Sequence, residues 1–189
     1  MDDSTMGNYA LAVIGAGIQG LSVAYHCAIS GISPIIVVEK SHVGSGSSGR
    51  SASMLMLQRE NEVKIELSKY SYERFMDFSD EFGIDPQFEK IGFLSVASEQ
   101  SKNHALQMAA LRSQLGVRTE VLTQSEIGKL APVVNTSDIS VGVFGPDDGV
   151  IDAKAIISAY SLAAKRLGVI IREDVHAIGL DVHVLRPVF

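Results

Sequence analysis

Two short apolar runs near the amino terminus have the pattern of strands that are buried on both faces. The first covers residues 9–14, and the second, which is rich in β-branched side chains, covers residues 34–39. Between them, residues 18–30 have the spacing of a helix with one apolar side. Because two buried strands joined by one helix form a right-handed crossover, the pattern predicts a parallel sheet.

The remaining pattern predicts an alternation of helices and short strands. The longest helix, over residues 62–82, has a broad apolar face that includes Leu67, Tyr70 and Phe78. We interpret its aromatic side chains as core rather than as a cofactor cage. The other predicted elements are helices over 99–115, 124–130 and 153–167, and strands over 88–97, 141–144 and 169–171.

Composition and charge narrow the class of protein. The chain has 189 residues, a net charge of −6 and one cysteine. The acidic balance argues against a nucleic-acid partner, because phosphate binding requires a basic face. A single cysteine excludes an intrachain disulfide, and the histidines lack the spacing of metal ligands, so we expect no metal site. An acidic start and the lack of a long apolar run predict a cytoplasmic location without a membrane span.

A glycine-rich segment, Gly15–Gly20, has the pattern G-x-G-x-x-G between the first strand and its helix. We expect Gly15 to allow a tight turn, Gly17 to let the backbone approach a pyrophosphate, and Gly20 to let the helix pack closely on the sheet. Glu39 ends the second strand 19 positions after Gly20, where it would bind an adenosine ribose and disfavour the 2′-phosphate of NADP. The motif alone leaves FAD and NAD open.

The segment after the second strand favours one of these two cofactors. Glu39-Lys40 is followed by Gly46–Leu55, which reads Gly-Ser-Ser-Gly-Arg-Ser-Ala-Ser-Met-Leu. This sequence resembles the D-amino-acid-oxidase-like flavoproteins, a family that includes glycine oxidase and sarcosine oxidase. The resemblance implies FAD as the cofactor, with Ser47 and Ser48 contacting phosphate and residues 50–54 passing the flavin.

The resemblance extends over most of the chain. It implies an α/β fold, in which a Rossmann-like FAD-binding parallel sheet carries a partial inserted antiparallel substrate domain. The implied domains are residues 1–86, the first part of the FAD-binding domain; 87–145, the partial substrate domain; and 146–189, the return to the FAD-binding domain. Residues expected to bind FAD are Gly15, Gly17, Ile18, Gly20, Glu39, Lys40, Ser47, Ser48, Arg50, Ser51, Ala52, Met54 and, at the adenine, Ala177.

The implied function is FAD-dependent oxidation of an amine or amino acid by hydride transfer to the flavin. The pattern matches only the amino-terminal half of the family, and residues 181–189 fit it poorly. We therefore expect a truncated or split form that is not a competent oxidase alone and that self-associates or pairs with a second subunit. No catalytic residue is predicted. A non-catalytic FAD-binding subunit or remnant and an NAD-dependent dehydrogenase stay open as alternatives.

Overall fold

The computed structural model describes residues 7–181, which form two compact units. The first unit contains residues 7–51 and 153–181, and the second is Ala52–Asp152. The predicted functional domains have other boundaries. A division into compact units does not show which residues bind FAD or substrate, so these domains stay predictions. Most of the tail that fits the family pattern poorly lies outside the described residues. No described helix has the length and apolar character that a membrane span requires.

Strands and helices alternate along most of the described chain. The strands are β1 (Leu11–Ile14), β2 (Ile35–Val38), β3 (Met54–Leu55), β4 (Phe93–Ala97), β5 (Glu120–Leu122), β6 (Val141–Gly145), β7 (Gly149–Val150) and β8 (Ile170–Arg172). The helices are α1 (Ile18–Ile29), α2 (Glu62–Met76), α3 (Phe78–Phe82), α4 (Lys102–Gln114), α5 (Gln124–Leu130) and α6 (Ala153–Arg166). Three of the four strands of two or three residues, β3, β5 and β7, were not predicted, because runs this short show no periodicity.

The first unit is built on a parallel sheet with the strand order β1-β2-β8. Leu11 pairs with Ile35, and Ile36 pairs with Ile170, both in parallel register. The predicted parallel crossover is therefore confirmed. Side chains from the sheet, α1 and α6 meet in one core, whose buried members are Ala16, Leu21, Ala24, Ile35, Val37, Ile157, Ala164 and Val169.

The second unit contains only antiparallel pairs among its described strands. β6 lies between β4 and β5, with Phe93 opposite Gly145 and Val121 opposite Val143. The short strands β3 and β7 form a separate pair. An antiparallel insertion between the two parts of a parallel sheet is the fold class predicted from the sequence. That prediction is confirmed.

The single helix predicted over residues 62–82 is wrong, because the helix breaks at Asp77. This residue leaves the helical conformation, with φ −88° and ψ 4°, and α3 begins immediately after it. The break turns Phe78 into the core, where it is 1% exposed and stacks on Phe82 with ring centroids 4.4 Å apart. Burial of Phe78 and its stacking on Phe82 compensate for the hydrogen bonds that a continuous helix would have kept.

The apolar face predicted for this helix is also wrong in part. Leu67 and Tyr70 are 62% and 64% exposed, whereas Ile65 is fully buried and Tyr72 packs on the same core. Apolar side chains lie on more than one side of α2. Only the contacts made by the folded chain decide which side is buried.

One buried carboxylate in the second unit has an unusual environment. Asp148 follows β6 in a turn and is 1% exposed. Its Oδ1 accepts a hydrogen bond from the amide of Leu57 at 2.6 Å, and its Oδ2 has no hydrogen-bond partner among the described residues. Burial raises the pKa of Asp148 to about 6, although the Leu57 amide, Arg59 and Arg112 favour the charged form.

We expect Asp148→Asn to stabilise the fold at neutral pH. The folded pKa of about 6 lies above the ordinary 3.8, so the folded state holds the proton more tightly than the unfolded chain. The parent is therefore most stable below that lower value and loses stability as pH rises through the folded pKa. Asparagine keeps an acceptor for Leu57 and never ionises. At pH 7 the gain should be on the order of 2–3 kcal/mol.

Urea denaturation of parent and variant between pH 4 and 7 measures this difference. The exposed Asp138 provides the matched control through Asp138→Asn. A difference between Asp148→Asn and the parent that does not grow with pH would contradict the prediction.

Candidate dinucleotide-binding site

The glycine-rich turn connects β1 to α1 at the carboxyl end of the parallel strands. Gly15 has φ +101°, a conformation that residues with side chains rarely adopt, and its amide donates to the carbonyl of Val38 at 2.8 Å. A Cβ on Gly20 would overlap the carbonyl oxygen of Gly15. The tight turn at Gly15 and the close packing at Gly20 are therefore both present as predicted.

Gly17 is the N-cap residue of α1 and has no side chain that could accept from the first amides. Its backbone is extended, with φ −80° and ψ −179°, and no side chain of its own satisfies the first amides of the helix. A Cβ at this position would lie 2.9 Å from Oγ of Ser48. Glycine at position 17 thus leaves the room in which Ser48 approaches the start of α1.

Glu39, at the end of β2, forms a hydrogen bond with the glycine-rich turn. The side chain is 8% exposed, its Oε2 accepts from the amide of Ala16 at 2.9 Å, and its Oε1 accepts from the amide of Ser41 at 3.1 Å. The hydrogen bond from Ala16 outweighs the opposing effect of burial and holds the pKa of Glu39 below its ordinary value. Glu39 is therefore a buried anion at the carboxyl end of the central strand.

The glycine- and serine-rich segment forms a compact loop that returns to α1. The amide of Gly44 donates to the carbonyl of Ala16 at 3.0 Å. Oγ of Ser48 accepts from the amide of Ile18 at 3.1 Å, so a residue 30 positions away caps the helix. A Cβ on Gly49 would overlap the carbonyl of Gly44, which explains the glycine at that position.

A cavity of about 300 Å³ opens at the carboxyl end of β1 and β2. It brings together four predicted cofactor residues, Gly15, Glu39, Lys40 and Ala177. His176 also lines this cavity and was not predicted. Its position beside Ala177 was the sole indication available, because a histidine in an irregular segment has no distinctive pattern. The other lining residues are Ile14, Val38 and Val175.

The remaining predicted residues are less closely grouped. Ser47 and Ser51 are exposed, and Nε of Arg50 donates to the carbonyl of Gly46 at 3.3 Å. Ala52 and Met54 belong to the second unit, where Met54 is 42% exposed in β3. The first unit thus groups predicted cofactor residues in two places, at the cavity and at the start of α1.

These features fit an adenine dinucleotide. A pyrophosphate requires amide donors at a helix start that carries no blocking side chain. Gly17 adds no side chain there, and the amide of Ile18 donates to a hydroxyl that a phosphate oxygen would replace. A ribose requires a carboxylate at the end of the second strand, and Glu39 lies there at the wall of the cavity.

Comparisons with known proteins agree with this geometry. The family model described as FAD dependent oxidoreductase matches residues 10–187. The chain is 33% identical over 164 residues to 4-methylaminobutanoate oxidase (formaldehyde-forming) of Paenarthrobacter nicotinovorans, covering 86% of this chain and 20% of that protein. It is 27% identical over 162 residues to the mitochondrial pyruvate dehydrogenase phosphatase regulatory subunit of Mus musculus, covering 84% of this chain and 18% of that protein.

A solved structure gives the same result for the fold. Glycine oxidase from Bacillus cereus ATCC 14579 superposes with a TM-score of 0.75 at 25% identity, covering 93% of this chain and 49% of that one. The resemblance stated from the sequence is confirmed. The chain spans about a fifth of the length of the two curated relatives and about half of the glycine oxidase chain.

Proposed function

The chain belongs to the FAD dependent oxidoreductase family, and on this premise we propose that its first unit binds FAD for the oxidation of an amine or amino acid. The observation that carries the proposal is the cavity that joins Gly15, Glu39, Lys40 and Ala177, together with the glycine N-cap of α1. FAD is the cofactor of the family, which favours it over the NAD-dependent dehydrogenase that the glycine motif alone left open.

Glu39 would bind the adenosine ribose while it keeps its present contacts. Each carboxylate oxygen accepts one main-chain amide, from Ala16 and from Ser41. An ionised carboxylate has about four acceptor positions, so two are left for the ribose hydroxyls. The same side chain therefore orders the turn and recognises the sugar.

The start of α1 would bind the pyrophosphate. The amide of Ile18 points to Oγ of Ser48, which occupies the position of an acceptor oxygen. A phosphate oxygen is a stronger acceptor than a hydroxyl and is further stabilised by the helix dipole. On binding, Ser48 would change from acceptor to donor and contact the phosphate through its O–H.

The substrate class is supported by the relatives. Two of them are 4-methylaminobutanoate oxidase and glycine oxidase. When bound, FAD would supply the chemistry, which is the acceptance of a hydride from the carbon next to the amine nitrogen. The residues of this chain hold and orient the adenosine end, and we assign none of the described residues to the reaction itself.

A non-catalytic FAD-binding subunit is the second candidate function. The observation that favours it is the similarity to a protein named as a regulatory subunit. We include in this proposal the pairing with a second subunit or with another copy of the chain. A cytoplasmic location also remains a prediction.

Anaerobic addition of glycine, sarcosine or proline to the FAD-loaded protein separates the two candidates. Loss of the oxidised flavin absorbance with one of these compounds supports amine oxidation. An unchanged spectrum with all of them shows that the chain alone does not oxidise these amines, which is the result expected of a non-catalytic subunit and of a chain that lacks its second subunit.

We expect Glu39→Ala to weaken FAD binding about ten- to a hundredfold, because a charged acceptor for the ribose hydroxyls is lost. The change also leaves the buried amide of Ala16 without its acceptor, so a loss of about 1–3 kcal/mol in folding stability should accompany it. Calorimetric titration with FAD, at a temperature where both proteins are folded, gives the affinity. The exposed Glu62 serves as the control through Glu62→Ala. Equal affinities for the Glu39 variant and the parent would refute the assignment.

A further inference from the structure

The first unit has a second cavity, of about 570 Å³, between the loop after β2 and the first turns of α6. This volume lies within the range of small-molecule sites in proteins. Ile157 forms an apolar part of its wall. The polar side chains that line it are His42, Ser45, Arg50, Lys154 and Ser158.

The lining of this cavity is positively charged. Arg50 and Lys154 are cationic, and no carboxylate belongs to the lining residues. The whole chain has a net charge of −6, so the charge of this lining is opposite in sign to that of the chain. Arginine presents a planar fork of donors and lysine a compact charge, and the hydroxyls of Ser45 and Ser158 add further donors.

The cavity is distinct from the adenosine cavity, since the two share no lining residue. The loop between residues 44 and 49 has contacts on two sides. On one side, the amide of Gly44 and Oγ of Ser48 bind the turn and the start of α1. On the other side, Gly44 packs on α6, where a Cβ would lie 3.3 Å from two methyl carbons of Ile157. The loop therefore contacts both the start of α1 and α6.

We infer that this second cavity binds a small molecule through a phosphate group that is not part of the dinucleotide. Arg50, from the loop after β2, and Lys154, from the first turn of α6, would both contact the phosphate oxygens. The side chain of Ser158, one turn after Lys154 on the same helix, would donate a hydrogen bond. The volume leaves room for the organic part of the ligand beside Ile157.

Inorganic phosphate is the probe for the test, titrated into the full chain and followed by ³¹P NMR and by the shift in melting temperature. Sodium chloride at equal ionic strength accounts for general screening. The exposed Lys154 is changed in Lys154→Gln, and Lys165→Gln near the other end of α6 is the matched control. A separate titration with FAD is made on every variant.

We expect saturable phosphate binding in the parent, about tenfold weaker binding in Lys154→Gln, and binding within about twofold of the parent in Lys165→Gln. FAD affinity should be the same in all three proteins. Ser158→Glu, at another exposed position, should also abolish phosphate binding by repulsion and leave FAD binding unchanged.

Two results would overturn the inference. One is a phosphate effect no larger than that of chloride in the parent. The other is a joint loss of phosphate and FAD affinity in Lys154→Gln with phosphate competing against FAD, which would assign the cavity to the dinucleotide itself.

Discussion

Gly17→Val is expected to abolish FAD binding and to leave the chain folded. The backbone at Gly17 is extended, with φ −80° and ψ −179°, a conformation that valine adopts readily. A Cβ there would meet only Oγ of Ser48, at 2.9 Å, and a side chain that rotates can relieve this contact. The two methyl groups of valine would fill the space in which a pyrophosphate must reach the amide of Ile18. We expect a loss of more than about a hundredfold in affinity.

Flavin fluorescence during FAD titration measures the affinity, and circular dichroism measures whether the variant is folded. Gly128→Val is the matched control, because a Cβ on Gly128 meets nothing within 4 Å and this residue lies in α5 of the second unit. Stoichiometric flavin in purified Gly17→Val would show that the phosphates bind elsewhere.

Gly20→Ala is expected to destabilise the fold severely, although it adds only one methyl group. The added Cβ would overlap the carbonyl oxygen of Gly15 and approach Cγ1 of Val13 to 3.3 Å. The carbonyl belongs to the backbone of a tight turn and cannot rotate away. Relief requires α1 to move off the sheet and opens the core around Leu21. The cost should be about 3 kcal/mol or more.

Chemical denaturation of Gly20→Ala and Gly17→Ala compares the same substitution at two glycines of one motif. Gly17→Ala should stay within about 1 kcal/mol of the parent, since its only close contact is a movable side chain. If Gly20→Ala unfolds at the same urea concentration as the parent, the close packing of α1 on β1 is not what the glycine provides.

The sequence determined the first strand–helix–strand unit in detail. β1, α1 and β2 begin and end within two residues of their predicted positions, and they form the predicted parallel pair. The physical reason is that a strand buried on both faces and a helix with one apolar side each have a local pattern, so neighbouring residues decide the element. The roles of Gly15 and Gly20 were predictable for the same reason.

Only the tertiary structure showed what surrounds the glycine motif. Glu39 was predicted as a ribose ligand, yet it also binds the amide of Ala16, 23 positions away, and Ser48 caps α1 from 30 positions away. Neither contact has a local pattern, because it depends on how the loop returns to the helix. The break at Asp77 is similar, since the burial of Phe78 against the core decides it.

The sequence by itself therefore determined the fold class, the glycine turn and the family resemblance, because each rests on patterns that can be read along the chain. The tertiary structure decided which of the predicted cofactor residues share a cavity and where Arg50 lies. It places Glu39, Lys40 and Ala177 around one cavity and Arg50 at another, with Lys154. The reason is physical, since a cavity is formed by elements that are distant in the chain, and its lining is fixed only when those elements pack together.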